Sequence, residues 1–183
     1  MAFRSIETPL PDLLIIEHDV FRDPRGYFLE LFNQQGFENI GLGKLRFVQD
    51  NLSYSVQGTL RGMHFQKPPY AQGKLVKPLQ GAVYDAVVDL RRTSPTYGQW
   101  YGLELHADDP RMLYVPPGFA HGFQVLSESC LFFYKCTQFY NKAADSGIRW
   151  DDPALGIEWR DISPLLSEKD LLHPVLADFD SPF

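Results

Sequence analysis

Gly58-Thr59-Leu60-Arg61-Gly62-Met63-His64 and Pro116-Pro117-Gly118-Phe119-Ala120-His121 are the two stretches that decide how this chain folds. In each, a glycine turn delivers a histidine: Gly-x5-His in the first, Pro-x-Gly-x-x-His in the second. Glycine supplies the tight turn and proline presets its entry. Working outward, the chain reads as short strands separated by Gly, Pro and Asn/Asp. The expected strands are Leu14–His18, Tyr27–Phe32, Phe47–Ser55, Thr59–Phe65, Lys74–Pro78, Ala82–Asp89, Gln99–Leu105, Met112–Val115, Gly122–Val125 and Cys130–Tyr140. Within Val83–Asp89, Asp85, Val87 and Asp89 share one face and Tyr84, Ala86 and Val88 the other, which predicts a strand buried on one side only. Asn33–Gly41 reads as a short helix ended by glycine. Pro164–Leu172 reads as a second, with Ser163 as cap and Pro164 at its first position. Fourteen prolines and 14 glycines in this pattern favour a sandwich or small barrel.

The spacing of the two histidine motifs resembles the paired signatures of the cupins, small double-sheet jelly rolls. The expected fold is therefore all-β, a cupin-type jelly-roll β-sandwich with a few short peripheral helices, forming one domain over residues 1–183. A metal-binding cupin carries a second histidine two residues after the first and a glutamate shortly beyond. Here Gln66 stands at the second position, and no glutamate occurs between Gln66 and Lys77. His64 and His121 are too few for a catalytic metal site, which usually takes three protein ligands and an open position. No metal is expected, which leaves His64 for other work.

Composition is that of a soluble globular protein, 44% hydrophobic and 22% charged. The 14 Phe, 9 Tyr and 3 Trp suit a β-rich core and leave rings to stack on a ligand. Net charge is −6, from 17 basic and 23 acidic residues, which argues against a general nucleic-acid or anionic-membrane binder. It leaves room for a local basic pocket around one anionic small molecule. Cys130 and Cys136 lie six apart in one strand, their ends roughly 20 Å apart at about 3.3 Å per residue, so they cannot pair with each other. They read as buried, reduced thiols of a cytoplasmic protein. Leu13–Ile16, flanked by Asp12 and Glu17, is too short for a signal segment or a membrane span.

A more specific likeness runs the length of the chain. Phe21-Arg22-Asp23-Pro24-Arg25-Gly26-Tyr27-Phe28, Gln49-Asp50-Asn51, Leu60-Arg61-Gly62-Met63-His64-Phe65-Gln66, Gly73-Lys74-Leu75-Val76 and Val88-Asp89-Leu90-Arg91 are its first half. Pro116 to Phe123, Ile148-Arg149-Trp150-Asp151-Asp152-Pro153 and Ser167-Glu168-Lys169-Asp170 complete it. Together, in this order, they resemble the dTDP-4-dehydrorhamnose 3,5-epimerases of bacterial deoxysugar synthesis. The resemblance implies a cofactor-free, metal-free homodimer acting on dTDP-4-dehydro-6-deoxyglucose. It would invert C3 and C5, whose hydrogens the C4 ketone acidifies. Such a reaction needs a base on one face of the sugar, an acid on the other, and a positive group at the enolate oxygen. By position, His64 matches the family's general base, Asp170 the carboxylate that orients it, Lys74 the cation near the C4 oxygen and Tyr134 the opposite-face acid. Tyr140 matches the ring that stacks on thymine. Arg25, Glu30, Gln49, Asn51, Arg61, His121 and Lys169 match sugar- and diphosphate-contacting positions. The Phe21–Glu30 segment matches one that reaches into the partner subunit's pocket. Asp145 stands where the family commonly has glutamate.

Each of these residues also has a plainer reading. His64 could be a satisfied structural histidine, His121 a prop for the Pro-Gly turn, and Lys74 a solvated edge lysine. Tyr134 and Tyr140, six apart on one expected strand, would by default pack into a core. Asp170 sits in a common helix-surface pattern, and Asp89 and Arg91 read as structural. Other functions compatible with the residues are a 3- or 5-monoepimerase or a CDP-sugar epimerase of the same family. A metal-dependent cupin oxygenase or isomerase, or a silent sugar-nucleotide-binding jelly roll, fits less well.

Overall fold

The computed structural model describes residues 2–183, and strands dominate it. In chain order these are β1 (Phe3–Glu7), β2 (Leu14–His18), β3 (Val20–Asp23), β4 (Gly26–Leu29), α1 (Gln34–Asn39), β5 (Gln49–Val56), β6 (Leu60–Gln66) and β7 (Lys74–Gln80). Then follow β8 (Ala82–Asp89), β9 (Trp100–His106), β10 (Arg111–Val115), β11 (Phe119–Val125), β12 (Ser129–Cys136), β13 (Asp145–Gly147) and α2 (Glu168–Leu171), with a final 3-10 turn at Leu176–Asp178. A six-stranded sheet in the order β1-β2-β10-β7-β12-β5 faces a five-stranded sheet in the order β13-β6-β11-β8-β9, and β3-β4 stand apart as a hairpin. This is the expected sandwich. No helix among the described residues is long and apolar enough to cross a membrane.

The layers follow from strand alternation. Ile15, Val76, Leu113 and Phe132 from one sheet meet Val83, Val87, Leu105 and Phe123 from the other in the main core. Phe3, Ile16, Leu75 and Met112 point outward from the six-stranded sheet and are covered by Phe37 of α1. Met63, Phe65, Tyr84, Ala86 and Val88 point outward from the five-stranded sheet. The C-terminal chain roofs them with Ile148, Leu155, Trp159, Phe179 and Phe183. That roof corrects the reading of β8 as half-exposed: all eight of its residues are buried. Its inward carboxylates are paired instead of solvated. Asp89 accepts from Arg91, Ser94 and Thr96, and Asp85 accepts from His121.

Other boundaries move for identifiable reasons. β12 ends at Cys136, so Tyr140 lies beyond the strand and the expected run to Tyr140 is too long. The second helix is only Glu168–Leu171, capped by Ser167 and not by Ser163. Residues 164–166 are extended because Leu165 exchanges backbone hydrogen bonds with Gly58 and Leu60 at 2.8 and 2.9 Å. In α1, Asn33 is the cap, its side chain accepting from the Gly36 N–H at 3.1 Å. Strands β1, β3 and β13 were not expected.

A glycine in each motif acts as a steric permit. Gly118 has φ +93°, a value only glycine adopts at little cost. A Cβ on Gly62 would lie 2.7 Å from the Gly122 Cα, so β6 and β11 approach more closely there than any side chain allows. That approach places His64 directly across from His121.

Candidate active site

Between the two sheets lie adjoining cavities of about 370 and 190 Å³ that share His64, Lys74 and Tyr134. The deeper one is closed by Ser53, Arg61, His121, Phe123 and Phe132. The outer one opens past Gln49, Asn51, Tyr140, Asp145 and Lys169. The register explains the gathering: on β5 and β12, Tyr134 pairs with Asn51, Phe132 with Ser53 and Cys136 with Gln49, so alternate residues of both strands face inward together.

His64 Nε2 lies 2.5 Å from Asp170 Oδ1, with the two side chains 29% and 4% exposed. The histidine comes from β6 and the carboxylate from α2, far along the chain. Burial pushes the Asp170 carboxyl up, but the hydrogen bond and charge of His64, with help from Ser167, hold it below the usual range. Asp170 is therefore a carboxylate at neutral pH. Lys74 is drawn down by burial, against the pull of Cys136, Asp85 and Asp145. Its N–H bonds are accordingly more acidic than those of a solvated lysine. Burial raises the Tyr134 phenol, with Cys136 adding to it and Arg61 opposing, so Tyr134 stays protonated and able to donate.

Around this centre the polar groups hold one another. Gln49 Nε2 donates to Asn51 Oδ1 at 2.9 Å, and Asn51 donates to Cys136 Sγ at 3.6 Å. Arg61 Nε donates to Ser55 Oγ at 3.1 Å. The Tyr140 hydroxyl donates to Asp145 at 3.2 Å, and Lys169 forms an ion pair with the same carboxylate. Asp145 thus bridges the thymine-stacking candidate and a phosphate-binding candidate. Both cysteines are buried free thiols, as expected.

Ten of the expected residues line these cavities: His64, Lys74, Tyr134, Gln49, Asn51, Arg61, His121, Tyr140, Asp145 and Lys169, with Asp170 behind His64. His121 lines the inner cavity, its Nε2 held by Asp85 at 2.9 and 3.0 Å. Phe21, Arg25 and Glu30 are not brought into this chain's own cavity. Phe21 and Arg25 line a separate surface groove on the β3-β4 hairpin, Arg25 pairing with Asp23 at 2.5 Å. Glu30 accepts from Asn33.

Sequence reasoning missed the roles of three residues here. Ser53 has a buried hydroxyl without a hydrogen-bond partner on the cavity wall, and the alternation Gln49, Asn51, Ser53 was the signal that could have found it. Gln66 is no mere gap in a ligand set. Its amide donates to Tyr70 O and Phe139 O and accepts from the Asn141 N–H, pinning the Tyr140 loop. His173 packs edge-on against His64 with ring centroids 5.6 Å apart. One side-chain group among the described residues is close enough to hold an ion, His64, Asp170 and His173. It is not the cupin position, because Gln66 and His121 take no part in it.

The family model for dTDP-4-dehydrorhamnose 3,5-epimerase matches residues 7–178. The dTDP-4-dehydrorhamnose 3,5-epimerase of Shigella flexneri is 50% identical over 175 residues, covering 96% of this chain and 97% of that protein. The crystal structure of the Bacillus anthracis dTDP-4-dehydrorhamnose 3,5-epimerase with TDP and pyrophosphate bound superposes with a TM-score of 0.92 at 48% identity, covering 96% of this chain and 100% of that one. A dTDP-6-deoxy-D-glucose-3,5-epimerase from Legionella pneumophila, in complex with dTDP-4-keto-L-rhamnose, gives 0.91 at 43% identity, covering 97% and 95%.

Proposed function

The chain belongs to the dTDP-4-dehydrorhamnose 3,5-epimerase family, and from that premise we propose how its cavity inverts C3 and C5 of dTDP-4-dehydro-6-deoxy-D-glucose to give dTDP-4-dehydro-L-rhamnose. The chain is an isomerase of sugar nucleotides. The observation that carries the mechanism is the hydrogen-bonded pair of His64 and Asp170 facing a cavity that Lys74 and Tyr134 also line.

Asp170 occupies His64 Nε2, so Nδ1 is the nitrogen left for a substrate proton. The carboxylate fixes that tautomer and stabilises the imidazolium that forms. His64 takes the proton from C5 or C3, and the electron pair moves onto the C4 oxygen, where the Lys74 ammonium stabilises the enolate. The Tyr134 hydroxyl then gives a proton to the opposite face of the same carbon. His64 releases its proton to water and Tyr134 regains one, which readies the site for the second carbon. Tyr140, Gln49, Asn51, Arg61, His121, Asp145 and Lys169 bind the nucleotide, diphosphate and sugar.

The working unit we propose is a cytoplasmic homodimer. Phe21, Tyr27 and Phe28 are 50%, 50% and 61% exposed on the β3-β4 hairpin, and the resemblance of this segment to the family's arm assigns Phe21, Arg25 and Glu30 to the partner's cavity. Free buried thiols accord with a reducing compartment. The test is the reaction run in D2O with NMR observation of both carbons. Deuterium incorporation with inversion at C3 and C5 supports the full reaction, whereas inversion at one carbon alone replaces it with a monoepimerase.

A further inference from the structure

We propose that His64, Asp170 and His173 form a binding site for a divalent transition metal, Zn²⁺ foremost, which switches the enzyme off by capturing its base. The inhibitory half rests on the reading of His64 as that base; the site itself does not.

One ring nitrogen from each histidine and one Asp170 oxygen lie within 4.8 Å of one another. Asp170 Oδ1 is 2.5 Å from His64 Nε2 and 3.9 Å from His173 Nε2. The His173 side chain is only 10% exposed, and its Nε2 is buried with no hydrogen-bond partner. An imidazole nitrogen left unpaired in a protein interior is a lone pair or N–H awaiting a ligand. The ring's position is built into the fold. It packs edge-on against His64 at an interplanar angle of 72°. It also sits over Gly147, where a Cβ would lie 2.5 Å from its Nε2. Gly147 is in turn paired with His64 across β13 and β6.

Two imidazoles and a carboxylate, with a fourth position left to water, are a donor set suited to zinc. Bond lengths of about 2.0–2.1 Å put tetrahedral ligand atoms about 3.3 Å apart. The Asp170–His173 gap must close slightly, and the His64–Asp170 gap must open once its proton leaves. The ion takes the place of the Nε2 proton shared by His64 and Asp170, and that proton moves to the vacant Nδ1, so the imidazole stays neutral. With Nε2 on the metal and its one proton on Nδ1, His64 cannot accept another. The sugar and nucleotide walls stay free, so the loss falls on kcat and leaves KM nearly unchanged.

The test begins with chelator-stripped protein titrated with Co²⁺ and followed by its visible absorption, then with Zn²⁺ in competition. Wild type should bind one ion with tetrahedral-type bands. His173→Gln, His173→Leu and His64→Gln, each checked for folding by circular dichroism, should bind at least about tenfold more weakly, since even outer-shell changes cost 10–100-fold. Wild type lacking a one-to-one site would overturn the proposal, as would folded His173 variants that bind as tightly. The stoichiometry and band pattern of wild type alone decide the test if every variant misfolds. Zn²⁺ bound at this site with kcat undiminished overturns the inhibitory half and the assignment of His64 as base, while leaving the site standing.

Discussion

Replacing Asp170 by Asn tests the mechanism at its most quantitative point. The carboxylate is nearly dry, with 4% of its side chain exposed, and it meets His64 Nε2 at 2.5 Å. When His64 takes a substrate proton, an imidazolium forms against that carboxylate. Unit charges with centres roughly 4 Å apart attract by about 4 kcal/mol at an effective dielectric near 20. At about 1.4 kcal/mol per factor of ten, losing that attraction costs close to three decades in rate. The amide adds a second fault, because its N–H donates to Nε2 and drives the imidazole proton onto Nδ1. The analogous tautomer error in serine hydrolases costs about 10⁴. Helix α2 should survive, since its cap is the Ser167 side chain accepting the backbone N–H of residue 170. We therefore expect kcat to fall about 10²–10⁴-fold with dTDP binding by calorimetry unchanged. A variant within tenfold of wild type would show that the carboxylate is not the partner His64 relies on.

The other predictions concern separate parts of the molecule. His64→Ala should abolish both inversion and deuterium wash-in, by about 10²-fold or more, whereas Tyr134→Phe should lose inversion yet keep exchange, because His64 can return the proton to the face it came from. Normal inversion by Tyr134→Phe would remove the phenol from its role. Mixing Arg25→Ala chains with His64→Ala chains should restore activity through hybrid sites if the hairpin serves the partner, and verified heterodimers without recovery would refute that. Burial pushes Lys77 down to about 8, opposed by Asp109 and Asp108. Its charge thus costs stability in full below pH 8, and the cost fades as pH rises toward 10.5. The stability of Lys77→Met relative to wild type should consequently drop by roughly 2–3 kcal/mol between pH 8 and 10.5, and a flat difference by chemical denaturation would contradict the buried-charge reading.

How far the sequence could be read depended on whether the deciding interaction was local. The strands around His64 and His121 were legible because glycine turns and alternation are properties of neighbouring residues. The burial of β8 was not, since the roof over Tyr84 and Val88 comes from residues 148 to 183. The helix near Ser163 failed for the same reason: the backbone groups of Leu165 are taken by Gly58 and Leu60, and nothing in the local pattern announces that pairing. Gln66 was read as a missing ligand, and only the folded Tyr140 loop gives its amide three partners. The candidate site was legible mainly through collinear resemblance. Residues outside that pattern, Ser53 and His173, went unseen although their side chains face the same centre.

The two-layer architecture itself accounts for opposite-face chemistry. His64 belongs to β6 of the five-stranded sheet, while Lys74 and Tyr134 belong to β7 and β12 of the six-stranded sheet. Facing sheets pack about 10 Å apart, a gap that holds one sugar ring with a functional group on either side. On the proposed mechanism base and acid are thus carried by different layers, and the cavity of about 190 Å³ between them is sealed at depth by Phe123 stacked on Phe132 at 4.1 Å. Such a floor stops the ring from sliding into the core and keeps C3 and C5 level with the two groups. Reaching the second carbon then requires the ring to shift or turn within the cavity, while His64, Lys74 and Tyr134 stay where their strands hold them. A bulkier wall, as in Ser53→Leu, should on this reasoning impair inversion at one carbon more than at the other, and equal losses at both would argue that the ring does not move between steps.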